Sequence, residues 1–106
     1  MRTRSPVSGV WVLRSAEDND GQSARVHLIV QPRGAVAGEH IHPRIREGFQ
    51  VISGRLGTRV DGVERTLTAG GEAVAVPGTW HDFWNPVKWT PTCCLSSRRW
   101  IPALSR

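Results

Sequence analysis

The chain has 106 residues, 39% of them apolar, and a formal net charge of +5. That length fits one domain with one modest core, and no run of about 20 apolar residues is present to span a bilayer. The basic excess is confined to the end: residues 88–106 hold Lys88, Arg98, Arg99 and Arg106 with no acid, whereas residues 1–87 hold ten basic and nine acidic groups, which argues against a nucleic-acid surface on the folded body.

Residues 1–9 are polar and basic and are expected to form a flexible or edge arm. They lack the apolar segment of a signal peptide, so a cytoplasmic location is expected. Val10–Leu13 is a short apolar strand. Glu17–Gly21 is a turn cluster with an Asp-Gly hairpin signal, and Ala24–Val30 is a second, alternating strand ended by Pro32-Arg33-Gly34. Gly38–His42 is expected to begin a third strand that bends at Pro43 and resumes over Gly48–Ile52, with Glu47, Phe49 and Val51 on one face. Strands follow at Arg55–Val60, Val63–Thr68 and Ala73–Val76. Their turns are Ser53-Gly54, Asp61-Gly62 and Ala69-Gly70-Gly71. Pro77-Gly78 makes the next corner, and His81, Phe83 and Asn85 share one face of the strand after it. Short strands with turn signals every eight to twelve residues, and no helical periodicity, predict an all-β sandwich or barrel.

His40 and His42 are one residue apart and therefore share a strand face, and Glu47 can return beside them past the Pro43 turn. Two imidazoles and a carboxylate suit a divalent transition metal, and His81 is the natural fourth ligand. Glu47 shares its face with Phe49 and Val51, which favours the interior over a solvated pair with Arg44 or Arg46. His27 has no such company and reads as an ordinary polar residue. Arg55 and Arg59 read as a solvated face, although either could reach an anionic substrate. Cys93 and Cys94 are adjacent, point apart in an extended chain, and read as free thiols.

The spacing carries a resemblance. Gly34, five residues, His40-x-His42, four residues, Glu47, six residues and Gly54 reproduce the first motif of the cupin superfamily at every position. Gly70, five residues, Val76-Pro77-Gly78, two residues, His81, three residues and Asn85 are similar to the second, except that Val76 stands where a proline is usual. The resemblance covers residues 10–87 and implies a small antiparallel jelly-roll barrel. It also implies a metal (Fe, Mn, Ni, Co, Cu or Zn) held by His40, His42, Glu47 and His81. Phe49, Val51, Phe83 and Leu28 would wall the pocket, Gly38, Gly54, Gly70 and Gly78 would serve the backbone, and Asn85 would tie down its strand. The implied function is a metal-dependent dioxygenase, isomerase or lyase acting on a small polar molecule; the alternative is a non-catalytic ligand-binding or sensor cupin. A homodimer is expected for so small a core, with Trp80 and Trp84 facing outward at the contact.

The chain from Pro86 onward, with residues 88–106 as its basic tail, breaks the pattern. Pro86, Pro91 and Pro102 and the lack of an apolar alternation read as an irregular basic tail, which would leave the barrel incomplete at its C-terminal strand. A one-nucleotide frame change after the Asn85 codon admits a strand-like alternative, so residues 86–106 are a candidate out-of-frame extension. In that reading Trp89 and Trp100 are incidental.

Overall fold

The structure, a computed structural model, describes residues 2–5, 10–13, 23–34 and 38–102, the first two segments by backbone alone. The expected Glu17–Gly21 hairpin turn lies outside the described residues. Among the described residues the chain is all-β, with β1 (Arg2–Ser5), β2 (Val10–Leu13), β3 (Ser23–Val30), β4 (Ile45–Ser53), β5 (Leu56–Val60), β6 (Val63–Leu67), β7 (Glu72–Ala75), β8 (His81–Trp84) and β9 (Thr92–Trp100). A six-stranded sheet runs β1-β2-β3-β9-β4-β7, and a three-stranded sheet runs β6-β5-β8. Every paired ladder is antiparallel.

Period-two alternation builds the core. In β4, Glu47, Phe49 and Val51 are buried while Gln50 and Ile52 are exposed. Leu28, Val30, Phe49, Val51, Ala73 and Cys94 of the larger sheet meet Leu56, Leu67 and Phe83 of the smaller one in one buried cluster. The two sheets thus face each other across a shared apolar layer, as in a jelly roll. Among the described residues they do not close into a barrel, in keeping with the expectation of an incomplete one, although the C-terminal strand itself is present.

Turn chemistry sets the corners. Asp61 and Gly62 both have positive φ (54° and 79°), as the two-residue hairpin between β5 and β6 requires. Gly54 has φ 90°, and a Cβ there would lie 2.8 Å from the Pro91 carbonyl oxygen and 2.9 Å from Thr92 Cα. Only glycine lets the β4–β5 turn pack against the start of β9.

Two expectations are corrected. Gly38–His42 is not a strand; only His40 makes an isolated bridge, to His81. And the segment read as an irregular tail forms β9, which pairs with β3 over its whole described ladder from Ser23↔Arg99 to Val30↔Thr92 and with β4 on its other side. The prolines do not interrupt this strand: Pro91 immediately precedes it and Pro102 follows it. Its alternation is present but carried by small residues, with Thr92, Cys94 and Ser96 buried.

Candidate metal centre

The segment that carries the two histidines is pinned to β8 by its backbone. His40 and His81 exchange both N–H···O bonds at 2.9 Å, the Gly78 N–H donates to the His42 carbonyl at 2.8 Å, and the Asn85 N–H donates to the Gly34 carbonyl at 2.8 Å. This places His40 and His42 beside His81, the first residue of β8. Glu47 arrives from the facing sheet, on β4.

The structure thereby brings together all four residues expected at a metal site. One ligand atom from each of His40, His42, Glu47 and His81 lies within 4.8 Å of all the others. The imidazole centroids are 4.4–5.3 Å apart. Glu47 and His81 are buried, His40 and His42 half-buried.

The hydrogen bonds fix which ring atoms face the centre. His40 Nδ1 lies 2.6 Å from the Gly38 carbonyl oxygen and His81 Nδ1 lies 2.8 Å from that of Thr79. A carbonyl only accepts, so each Nδ1 carries the proton and, in a neutral ring, each Nε2 keeps its lone pair. His81 Nε2 nevertheless sits 3.1 Å from Glu47 Oε1, a lone pair against a carboxylate, which is satisfied only by a second proton or by a cation between them. His42 Nε2 lies 3.5 Å from the same oxygen and is buried without a hydrogen-bond partner. An orphaned nitrogen, two outward-anchored imidazoles and a buried carboxylate fit a divalent metal and its usual outer hydrogen bonds. Burial pushes the His42 ring below the ordinary histidine value; Glu47 opposes the shift, and the charges of His40, Arg98 and His81 add to it.

Phe49, Val51, Phe83 and Leu28 all lie in the core cluster. The Phe49 and Phe83 rings are 4.0 Å apart, and Phe83 is 5.7 Å from the His81 ring, so it packs beneath the site. Gly38, Gly54, Gly70 and Gly78 all have positive φ. Asn85 is buried; its amide N–H groups donate to the Val30 and Thr90 carbonyls (3.1 and 2.8 Å) and its Oδ1 accepts from the Val87 N–H (2.9 Å). His27 is exposed on β3. Arg59 pairs with Glu64 at 3.3 Å on the surface. Trp80 is exposed, whereas Trp84 is half-buried over Gly57. Both cysteines are free, and burial, with Cys93 beside it, pushes the Cys94 thiol up to about 12.

One residue at the site escaped the sequence reading. Arg98 of β9 donates from Nε to Glu47 Oε2 at 3.1 Å. Its signal is alternation: Thr92, Cys94, Ser96 and Arg98 form one inward series, and Arg98 stands directly opposite Glu47.

Comparison with known proteins agrees with this architecture. Residues 26–96 match the family model of the cupin domain. An oxidoreductase of Arthrobotrys oligospora is 29% identical over 96 residues, covering 77% of this chain; the chain spans 38% of that relative's length. A predicted oxalate decarboxylase from Thermotoga maritima superposes with a TM-score of 0.79 at 20% identity, covering 95% of this chain and 91% of its own. A recombinant oxalate oxidase in complex with glycolate gives 0.74 at 24% identity, covering 92% and 54%. With two thirds of its length matched by that model and its two sheets arranged as a jelly roll, the chain belongs to the cupin family.

Proposed function

We propose that this chain is a small metal-dependent cupin enzyme whose His40, His42, Glu47 and His81 hold one divalent transition metal and whose chemistry on a small polar molecule is centred there. The observation that carries the reading is the convergence of four donor atoms within 4.8 Å, two of the imidazoles having their other nitrogen tied to backbone carbonyls. When bound, such an ion supplies Lewis acidity toward a carbonyl or carboxylate oxygen, or a redox couple.

The chain's own residues do the rest. His40 and His81 are held in one tautomer and orientation by Gly38 and Thr79. Glu47 supplies one negative charge from a buried position, which offsets part of the charge of a divalent ion. Phe83 packs below His81 and keeps water from that side. Four protein ligands leave one or two positions on a five- or six-coordinate ion for substrate. The chain has no tyrosine, which removes one common proton donor from the site.

The relatives support a substrate class. One is named an oxidoreductase, one a predicted oxalate decarboxylase and one an oxalate oxidase in complex with glycolate. Small carboxylates are therefore the first molecules to try, and redox or carbon–carbon cleavage chemistry the first reactions. A homodimer with the exposed Trp80 near its contact belongs to the same proposal and is checked by light scattering.

The test is elemental analysis of protein purified without chelator or histidine tag, followed by oxygen-uptake and carbon-dioxide-release assays with oxalate and glycolate. Stoichiometric metal with turnover supports the enzyme. Stoichiometric metal without turnover but with a co-purifying organic ligand would point to a binding protein instead. Protein that takes up no metal at all refutes the reading.

A further inference from the structure

We propose that Arg98 is a positioning residue for Glu47, a clamp that holds one carboxylate oxygen away from the three imidazoles so that only the other is presented to them. The inference rests on the metal reading above.

The geometry divides the carboxylate cleanly. Oε2 accepts from Arg98 Nε at 3.1 Å, while Oε1 faces His81 Nε2 at 3.1 Å and His42 Nε2 at 3.5 Å. Glu47 is buried on β4, and no other described side chain donates to its Oε2. The pair is built into the sheet: Glu47 and Arg98 are Cα partners across β4 and β9. Directly opposite residues share a face and stand close enough for their side chains to meet. By alternation Arg98 shares the face of Thr92, Cys94 and Ser96, and half of its side chain remains in water (51% exposed).

This arrangement has a chemical consequence. A carboxylate with both oxygens free can bind a metal through one oxygen or two. With Oε2 engaged by a charged donor, Glu47 is confined to one-oxygen ligation, and a coordination position is kept for substrate. The guanidinium charge also repels an incoming cation, but solvent around its exposed half screens that repulsion. Losing the clamp frees the carboxylate to turn, and the fixed orientation that an outer hydrogen bond gives a metal ligand is lost. The net expectation is therefore weaker and differently shaped metal binding without Arg98.

Cobalt(II) titration of the full-length protein tests this, read as dissociation constant and as the visible d–d spectrum. Arg98→Met removes the donor and should weaken binding about 10–100-fold, the range seen for outer hydrogen-bonding partners of metal ligands, with a changed spectrum. Arg98→Lys keeps a charged donor and should recover part of the affinity. Arg99→Met, on the next residue and the other face, should match the parent. If Arg98→Met does not fold by circular dichroism, Arg98→Val, which suits a strand and has no donor, carries the test: a shifted spectrum at full stoichiometry supports the clamp, and an unchanged one overturns it. Parent-like affinity and spectrum in Arg98→Met overturn the clamp alone. A parent protein that takes up no cobalt overturns both the clamp and the metal reading.

Discussion

His42→Ala separates a site residue from a structural one, because its effect should change sign with the metal. The His42 side chain is 22% exposed and its Nε2 is buried without a partner. Without metal, an unsatisfied buried nitrogen costs about 1–3 kcal/mol. Removing it offsets the small packing loss, so the metal-free variant should unfold at or slightly above the parent temperature. With metal the balance reverses. Binding to a four-ligand site is worth roughly 10–16 kcal/mol in zinc-finger peptides, or about 3 kcal/mol per ligand, so one lost ligand weakens affinity about a hundredfold. At a metal concentration near 100 times the parent dissociation constant, the parent gains about 2.7 kcal/mol and the variant about 0.4 kcal/mol. A difference of about 2 kcal/mol corresponds to roughly 10 °C for a domain of this size. Thermal unfolding with and without metal gives all four midpoints. If metal raises the midpoint of His42→Ala as much as that of the parent, His42 is not a ligand.

Three other perturbations probe the frame around the site. Gly54→Ala should lower stability by about 2–3 kcal/mol, because it combines a positive φ with a Cβ 2.8 Å from the Pro91 carbonyl oxygen; Gly70→Ala, also at positive φ but with nothing within 4 Å of its Cβ, should cost only about 1 kcal/mol, and equal urea midpoints for the two would refute the steric argument. Asn85→Ala removes three hydrogen bonds from a buried amide and should cost about 3 kcal/mol, read by chemical denaturation; a loss below about 1 kcal/mol would mean water replaces the amide. Metal-free protein should lose stability as pH falls below the unfolded-state histidine value of 6.5, since the His42 value is lowered chiefly by burial. In that window the unfolded chain binds a proton that the folded chain does not, whereas above it neither does. His42→Ala should flatten that part of the profile, and an unchanged slope assigns it elsewhere.

Much of this was legible because the signals were local. Asp61-Gly62, Gly70 and Pro77-Gly78 state their turns in the residues themselves, and the alternation of Glu47, Phe49 and Val51 states which face is inside. The convergence of the four candidate ligands was legible for the same reason: His40-x-His42 fixes a shared side, and the spacing to Glu47 and His81 is regular. What was not legible depended on partners distant in sequence. Gly38–His42 looks like a strand by its alternation, yet it gains only one bridge, to His81. Strand β9 looks irregular because its inward residues are Thr92, Cys94 and Ser96 rather than large apolar ones. Its ladder partners, β3 and β4, already present Leu28, Val30, Phe49 and Val51 to the core, so small residues between them fill the layer without overpacking it.

That small-residue face has a consequence for how β9 finds its register. Where one face of a strand is strongly apolar, a one-residue slip is penalised by exposing it. In β9 the outward Leu95 is larger and more apolar than Thr92, Cys94 or Ser96, so burial alone gives little preference for the observed register. Polar anchors at the two ends supply it. At one end the Thr92 hydroxyl donates to the Arg55 carbonyl and accepts from the Arg55 N–H at 3.2 Å. At the other end Arg98 meets Glu47, and the Ile101 N–H donates to the Arg44 carbonyl at 2.7 Å. A slip by one residue would turn Arg98 outward and leave a buried carboxylate without its guanidinium, a loss of about 3–5 kcal/mol when such a pair is fully buried and less here, with half of Arg98 in water. The contact to the carboxylate of the candidate site is thus also one that sets the pairing of a central strand, which ties the geometry around Glu47 to the folding of the last part of the chain.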